Sequence, residues 1–320
     1  MTPQTPVNSP FAMRSTAAEV IAGIDLTGMT ALVTGGYSGL GKETVRALAG
    51  AGAKVLVGAR RPVVAATDLA DVKGDVSILK LDLSDPKSIA VFALAIDEQV
   101  AKLDLLINNA AIMACPLERD ARGYESQFAT NHLGHFHMTA LLWPLLKASG
   151  NARVVSLSSI GHARCGIDFD DPNFERRDYE KWSAYGQAKT ANALFAVHLD
   201  AIGQAHGVRA FAVHPGGIKT PLQRHLTMEE QVAMGWFKSD GTLADIFKSV
   251  EQGAATSIWC AVSPLLEGKG GVYCEDCDIA AAWSEGMPRY SGVRQWAVDT
   301  AQAQRLWTMS EAMTGVKFTA

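Results

Sequence analysis

The sequence lacks the marks of membrane proteins and nucleic-acid-binding proteins. No stretch approaches the roughly 18 uninterrupted apolar residues of a membrane-spanning helix. The longest candidate, Met138 to Leu146, is short and contains Pro144. The 29 basic and 33 acidic residues give a net charge of −4, which provides no basic surface for nucleic acid. We therefore predict neither a membrane span nor a nucleic-acid partner.

Cysteine is scarce as well. The chain of 320 residues has five cysteines, at positions 115, 165, 260, 274 and 277, and an odd, scattered set does not form a disulfide framework. The first 25 residues also lack a basic start followed by an apolar core, the pattern of a secretory signal. These absences predict a protein of the reducing cytoplasm.

Two groups of metal-type ligands lack the spacing of a metal site. Cys274-Glu-Asp-Cys277 resembles half of a zinc site, but no second pair accompanies it. His132, His135 and His137 lie on one expected helix with no carboxylate at suitable spacing. Zinc sites need a full set of three or four ligands, so we predict no metal.

What the chain does have is a regular alternation of apolar strands and helical segments. Strands are predicted at 30–34, 54–58, 77–81, 103–107, 153–157, 208–213 and 270–274, and helices at 39–51, 87–100, 124–148 and around Tyr185. Short buried runs that alternate with helices are typical of parallel sheets. The pattern predicts an α/β fold, a three-layer αβα doubly wound parallel sheet (a Rossmann fold), in a single domain.

The ends and one internal segment depart from this alternation. Residues 1–27 are expected to form an N-terminal arm, and 28–320 the folded domain. Residues 220–245 are rich in Met, Gln and Lys and include Trp236 and Phe237; we interpret them as a helical lid, although a packed surface helix has the same composition. Residues 280–320 are expected to form a C-terminal extension.

A glycine-rich turn joins the first strand to the first helix. Gly35, Gly39 and Gly41 have the spacing Gly-x3-Gly-x-Gly in Thr34-Gly-Gly-Tyr-Ser-Gly-Leu-Gly41. Glycines there let the backbone approach a pyrophosphate, which a helix N-terminus attracts. A strand before the turn and a helix after it favour a dinucleotide site.

Tyr185 and Lys189 are four residues apart on an expected helix, so both lie on one face. A free phenol keeps its proton to about pH 10, and a neighbouring ammonium favours the phenolate. The pair therefore has the composition of a general acid/base that serves a carbonyl oxygen.

Seven motifs in order resemble the short-chain dehydrogenase/reductases over roughly residues 26–275, and within them the branch of retinol dehydrogenases and protochlorophyllide reductases. Besides the glycine turn, they are Leu81-Asp-Leu83, Asn108-Asn-Ala-Ala111, Asn131-His-Leu-Gly134, Ser158-Ser159, Tyr185-Gly-Gln-Ala-Lys189 and His214-Pro-Gly-Gly217.

The resemblance implies four catalytic residues. Tyr185 would be the general acid/base, and Lys189 would lower its pKa and hold the nicotinamide ribose. Ser159, favoured over Ser158 by alignment, would orient the substrate oxygen, and Asn131 would hold a water that relays protons to the lysine.

The resemblance also implies a set of cofactor-binding residues, which would form the phosphate turn, the adenine site, the ribose site and the nicotinamide site. They are Gly35, Tyr37, Ser38, Gly39, Leu40, Gly41, Arg60, Asp82, Leu83, Asn109, Ala110, Ala111, Tyr185, Lys189, Pro215, Gly216, Ile218 and Thr220.

One segment departs from the usual family pattern. Ser159 and Tyr185 are 26 residues apart, about twice the common gap, because of an insert at 163–183. The insert is polar, with Asp168, Asp170 and Asp171 among its residues, and we expect a surface excursion near the mouth of the site.

The implied function is an NAD(P)-dependent oxidoreductase that interconverts an alcohol with a ketone or aldehyde. The substrate would be a small molecule, and several aromatic and methionine residues near the expected pocket predict that it is bulky and apolar. Two alternatives stay open: reduction of a carbon–carbon double bond, and a regulatory protein that binds NADP without catalysis. The family's two long central helices commonly form a dimer interface, which implies a homo-oligomer.

The second strand ends in Gly58-Ala-Arg-Arg61 and has no acid there. An acid at this position holds the ribose 2′-hydroxyl of NAD, whereas an arginine suits the 2′-phosphate of NADP. We therefore favour NADP over NAD, with Arg60 as the contact.

If Arg60 binds the 2′-phosphate, Arg60→Ala should raise the KM for NADPH by about tenfold or more, the effect of one lost charge-assisted hydrogen bond. The KM for NADH should change little. Arg61→Ala is the matched control, and steady-state kinetics with both cofactors is the measurement. Equal effects on NADPH and NADH would refute the assignment.

Overall fold

The computed structural model describes residues 2–288 and 290–319. Eight strands form the main sheet and two short strands form a second one. In chain order they are β1 Thr30–Thr34, β2 Lys54–Ala59, β3 Val76–Lys80, β4 Leu105–Asn108, β5 Ala152–Leu157, β6 Val208–His214, β7 Gly217–Ile218, β8 Phe247–Lys248, β9 Val272–Glu275 and β10 Asp278–Ile279.

The main sheet has the order β10-β9-β6-β5-β4-β1-β2-β3. Its pairs are parallel except that β10 runs antiparallel to β9. The order reverses between β1 and β4, where the loops that follow these strands part and leave a crevice. This is the predicted doubly wound parallel sheet in a single domain, and seven of its eight strands lie within two residues of their predicted bounds, while β10 was not predicted.

Helices cover both faces of the sheet. They are α1 Ala17–Ile21, α2 Gly39–Gly50, α3 Pro62–Asp68, α4 Pro86–Asp97, α5 Ser126–Phe128, α6 Gly134–Leu141, α7 Trp143–Ser149, α8 Lys181–Gly203, α9 Met228–Ala233, α10 Val250–Val262 and α11 Thr300–Thr314.

Alternation along the strands builds two hydrophobic cores. In β1, Leu32 packs into one core with Phe92 of α4 and Phe136 of α6. Its neighbours point to the other face, where Val33 joins Trp259 of α10. Successive strand residues face opposite sides, so a strand buried on both faces has an unbroken apolar sequence.

The long helix predicted at 124–148 is divided in the structure. A π-helical turn at Ala129–Leu133 joins α5 to α6, and the helix breaks again at Leu142. Pro144 occupies the first turn of α7, where its missing N–H costs no hydrogen bond.

The insert at 163–183 was predicted to be a polar surface excursion, and for its middle that is wrong. Asp171, Asn173 and Phe174 are buried. The Asp171 carboxylate accepts the backbone N–H groups of residues 175, 176 and 177 at 2.7–3.1 Å, and the Asn173 side chain accepts the N–H of Glu125 at 3.0 Å. Asp171, one of the acidic residues that indicated exposure, instead satisfies backbone donors of its own loop.

The segment predicted as a helical lid has little helix. Only α9 and a single 3₁₀ turn, Pro221–Gln223, are helical within it. β7 precedes the segment, β8 follows it, and the two strands pair with each other. The segment therefore leaves the domain and rejoins it at the same place.

The C-terminal helix α11 packs on α6 and α8, which belong to the long central helices of the predicted dimer interface. Trp307 stacks on Phe195 of α8, with centroids 5.8 Å apart and planes at 10°. It also meets Phe136 of α6 edge-on at 4.9 Å. α11 thus covers part of the surface of α6 and α8. Oligomerisation stays a prediction.

Trp307→Ala should lower the free energy of unfolding by about 3–5 kcal/mol, because it removes the centre of a buried aromatic cluster. Urea denaturation is the measurement. Val63→Ala, at a side chain that is 83% exposed, is the control and should stay within about 0.5 kcal/mol of the wild type. A Trp307→Ala protein that is as stable as this control would show that α11 does not contribute to the core.

Candidate active site

A cleft of about 1210 Å³ opens at the carboxyl ends of the parallel strands. Each sequence-predicted site residue except Asn131 lines it. Open α/β sheets bind ligands in this position because the loops diverge at the switch point.

The glycine turn between β1 and α2 is closely packed. A Cβ on Gly41 would lie 2.4 Å from the carbonyl oxygen of Gly35 and 2.6 Å from Nδ2 of Asn109, and Gly39 has a φ of +50°. Ser38, at the N-cap of α2, makes no side-chain capping bond. The first amides of α2 are thus available to an anion.

Thr34, at the end of β1, fixes the turn to the end of β4. Its hydroxyl oxygen accepts the N–H groups of Asn109 and Ala110 at 2.9 and 3.0 Å. It also lies 2.9 Å from Nε2 of His135, while Nδ1 of His135 contacts the carbonyl oxygen of Asn131 at 2.9 Å. A carbonyl can only accept, so Nδ1 carries the proton and Nε2 accepts from Thr34. Burial lowers the pKa of His135 to about 4, and the ring stays neutral.

The ends of β2 and β3 border the same cleft. Arg60 follows β2 and is exposed, with its side chain at the cleft wall. Asp82 follows β3, and its carboxylate accepts from the backbone and hydroxyl of Ser84 at 3.0 and 2.6 Å. No acid lies at the end of β2, as the sequence indicates.

Tyr185 and Lys189 lie on the cleft side of α8, and both are buried, with 5% and 2% of their surfaces exposed. Nζ of Lys189 donates to the carbonyl oxygen of Leu157 at 2.8 Å and lies 5.6 Å from the centre of the Tyr185 ring. The helix begins at Glu180, whose carboxylate accepts the N–H groups of Trp182 and Ser183.

Burial dominates the ionisation of both groups. It raises the pKa of Tyr185 to about 12, against a smaller lowering by the hydrogen bond with Ser159, and it lowers the pKa of Lys189 to about 7. The direction for Tyr185 is opposite to the expected one. The physical reason is that burial removes water from the phenol and disfavours its charged form, while Nζ of Lys189 donates to a backbone carbonyl.

The two neighbouring serines have different partners. Ser158 donates its hydroxyl to the carbonyl oxygen of Lys189 at 2.7 Å and is buried. The hydroxyl oxygen of Ser159 accepts the N–H of Gly161 at 3.0 Å, and the Ser159 side chain also hydrogen-bonds with that of Tyr185. The side chain next to the tyrosine is therefore that of Ser159.

Asn131 lies in the π-helical turn behind the site, and its side chain is fully engaged with Ile112. Oδ1 accepts the N–H of Ile112 and Nδ2 donates to its carbonyl oxygen, both at 2.9 Å. The side chain thereby holds the loop after β4 against the helix. The water relay implied for Asn131 stays a prediction.

The far end of the cleft is formed by the loop after β6. Nδ1 of His214 accepts the N–H groups of Ile160 and Gly216 at 3.2 and 3.3 Å, and Thr220 caps the next 3₁₀ turn. Beside Gly216 lies the buried Lys248, ion-paired with Asp276 at 2.6 Å.

Several cleft residues were missed by sequence reasoning. Trp182, Lys248, Glu275 and Arg294 line the cleft. His162, three residues after Ser159, was missed as well; it is buried and does not line the cleft. His162 had a usable signal in its place in Ser158-Ser-Ile-Gly-His162, and Trp182 lies three residues before Tyr185 on α8. Lys248, Glu275 and Arg294 come from distant segments.

Among residues 2–288 and 290–319, no group of three or more His, Cys, Asp or Glu side chains is placed to hold a metal ion. In the same part of the chain, none of the helices has both the length and the apolar character needed to span a bilayer.

Comparison with known proteins gives matches over nearly the whole chain. The family model of short chain dehydrogenases matches residues 29–231. A "Probable oxidoreductase" of Streptomyces antibioticus is 44% identical over 292 residues, 89% of this chain and 97% of that protein. Retinol dehydrogenase 12 of Mus musculus is 37% identical over 92% of this chain and 89% of its own length.

Among solved structures, a putative uncharacterized protein from Mycobacterium paratuberculosis has a TM-score of 0.74 and 32% identity, and the match covers 96% of this chain and all of that one. The family model and these identities agree with the geometry of the cleft. The chain belongs to the short-chain dehydrogenase/reductase family of oxidoreductases, in its retinol-dehydrogenase-like branch.

Proposed function

We propose that the protein uses a nicotinamide cofactor, with NADPH preferred, to interconvert a bulky apolar ketone or aldehyde with its alcohol. The single observation that carries the proposal is the meeting of Ser159, Tyr185 and Lys189 in one cleft with the glycine turn of α2. Reduction of a carbonyl requires a hydride donor at its carbon and a proton donor at its oxygen.

The residues of the cleft fit a dinucleotide. At Gly41 and Gly35 the turn has no room for side chains, and the uncapped start of α2 offers its amides to a pyrophosphate. Arg60 supplies a cation where the adenosine ribose would end. When bound, the cofactor would supply the hydride.

The chain's own residues handle the proton. With a pKa of about 12, Tyr185 is protonated at neutral pH, the state needed to give a proton to a carbonyl oxygen. Ser159, which hydrogen-bonds with Tyr185, would hold the carbonyl oxygen of the substrate and polarise it. Lys189 would hold the ribose hydroxyls and, once charged, favour the phenolate that Tyr185 becomes.

The entrance to the site supports an apolar substrate. Met113, Tyr185 and Leu226 form a buried cluster, and Trp182 and Trp236 pack against it. The two indoles meet edge-on with centroids 6.4 Å apart. Leu226 and Trp236 belong to 220–245, which we propose as a lid over the substrate. A relative named retinol dehydrogenase 12 suggests all-trans-retinal as one probe.

Tyr185→Phe should abolish reduction of a panel of aldehydes and ketones that includes all-trans-retinal, because it removes the proton donor. The expected loss in kcat is about 10²–10⁴-fold, with NADPH binding retained. Loss of NADPH absorbance measures the rate and fluorescence titration measures binding. Tyr124→Phe, which removes a hydroxyl bonded to the carbonyl of Met313, is the matched control and should keep its rate.

A Tyr185→Phe enzyme that retains most of its kcat would refute the proposed role. If the wild type reduces no carbonyl but does reduce an α,β-unsaturated probe at its double bond, the alternative reaction is correct. If it binds NADPH and turns over neither kind of probe, it is a non-catalytic binding protein. Cytoplasmic location stays a prediction.

The buried amine of Lys189 should make stability depend on pH. In the unfolded chain it keeps its proton to about pH 10, and in the folded, cofactor-free protein only to about pH 7. Between these values the unfolded state binds more protons, so the free energy of unfolding rises with pH. From pH 7 to 9 the difference between wild type and Lys189→Met should shift by about 2 kcal/mol in favour of the wild type. Urea denaturation at both values measures it, and a constant difference would contradict it.

A further inference from the structure

The geometry points to His162 as a positioning residue that connects the C-terminal extension to Ser159 and so sets where the serine hydroxyl lies beside Tyr185. This inference rests on the proposed function, in which Ser159 orients the oxygen of the substrate. His162 itself touches neither the open cleft nor the phenol and acts through the backbone of Ser159.

The protonation of the His162 ring follows from its partners. Nε2 accepts the backbone N–H of Arg294 at 3.0 Å, so Nε2 carries no proton of its own. Nδ1, 2.7 Å from the carbonyl oxygen of Ser159, therefore holds the proton and donates it. The hydroxyl of Tyr273 lies at 3.1 Å from the same nitrogen. Burial lowers the pKa of His162 to about 4, so the ring stays neutral and keeps this arrangement at physiological pH.

The turn held by His162 is the one that carries the serine. Ser159 is the N-cap of the 3₁₀ turn Ile160–Arg164, and its Oγ accepts from Gly161 within that turn. A Cβ on Gly161 would lie 3.0 Å from two ring carbons of Tyr185, so the turn lies directly against the phenol. A shift of the turn would move Ser159 relative to Tyr185.

The other side of the ring is held by the extension. Arg294 and Trp296 both reach His162: the first donates its N–H to Nε2, and the indole N–H of the second donates to the carbonyl oxygen at 3.0 Å. Gly292 donates to Oε1 of Glu275 at the end of β9, at 2.7 Å. The extension is thus fixed to the sheet on one side of His162 and to the serine turn on the other.

Two conservative variants separate positioning from simple packing. In His162→Asn the amide nitrogen takes the place of Nδ1 and can still donate to Ser159, but the acceptor for Arg294 is lost. In His162→Gln the amide oxygen takes the place of Nε2 and can still accept from Arg294, but the donor to Ser159 is lost. Both variants bury a neutral amide and lose one hydrogen bond, so each is the control for the other.

We expect His162→Gln to lower kcat on the order of 10- to 100-fold, the effect of displacing a substrate-orienting group by about 1 Å. The KM for NADPH should not change, because the glycine turn is untouched. His162→Asn should keep a kcat close to that of the wild type. The probe is all-trans-retinal, or the fastest carbonyl of the panel, with thermal unfolding measured for each variant.

Amide hydrogen exchange of peptides that span residues 159–164 gives a readout that needs no turnover. His162→Gln should speed exchange there relative to His162→Asn. Equal kcat and equal exchange in the two variants would overturn the inference, as would a loss confined to His162→Asn. The proposed function fails separately, if Tyr185→Phe keeps the wild-type rate; the exchange comparison then still decides the role of His162.

Discussion

Burial of helix α8 is the constraint on which the site depends. The helix is enclosed by the sheet, by the π-helical turn and α6, and by α11, so Tyr185 and Lys189 are removed from water. A buried amine must find a partner, and Lys189 has the carbonyl of Leu157 at the end of β5. This contact orients α8 on the sheet and leaves the phenol facing the cleft.

Around this helix, the site is assembled from hydroxyl and imidazole groups that join the ends of strands. Thr34 ties β1 to the loop after β4, and through His135 to the π-helical turn. His214 ties the loop after β6 to the turn after β5. Because burial keeps both rings neutral, His135 joins its two partners as a donor and an acceptor, and His214 accepts two backbone N–H groups without adding a buried charge.

The sequence was sufficient for the parallel strands of the main sheet and for a set of site residues that, except for Asn131, line the cleft, because buried parallel strands have apolar runs and their carboxyl ends meet at one edge. It was insufficient wherever a distant partner decides the outcome. The raised pKa of Tyr185 results from its burial, which depends on the segments packed around α8. Burial of Asp171 depends on donors within its own loop, and the cover over α8 comes from residues more than 100 positions later.

Segments near both ends of the chain contact residues that are distant in the sequence. The side chain of Gln4 donates to the carbonyl oxygens of Tyr273 and Ala280 and accepts from the N–H of Tyr273, while α11 completes the core over α8. During synthesis from the N-terminus, the Gln4 contacts cannot form until residues 273–280 have left the ribosome, and α11 cannot cover α8 until residues 300–314 have done so. The apolar face of α8 therefore stays uncovered until α11 emerges, and transiently exposed apolar surface of this kind is prone to aggregation.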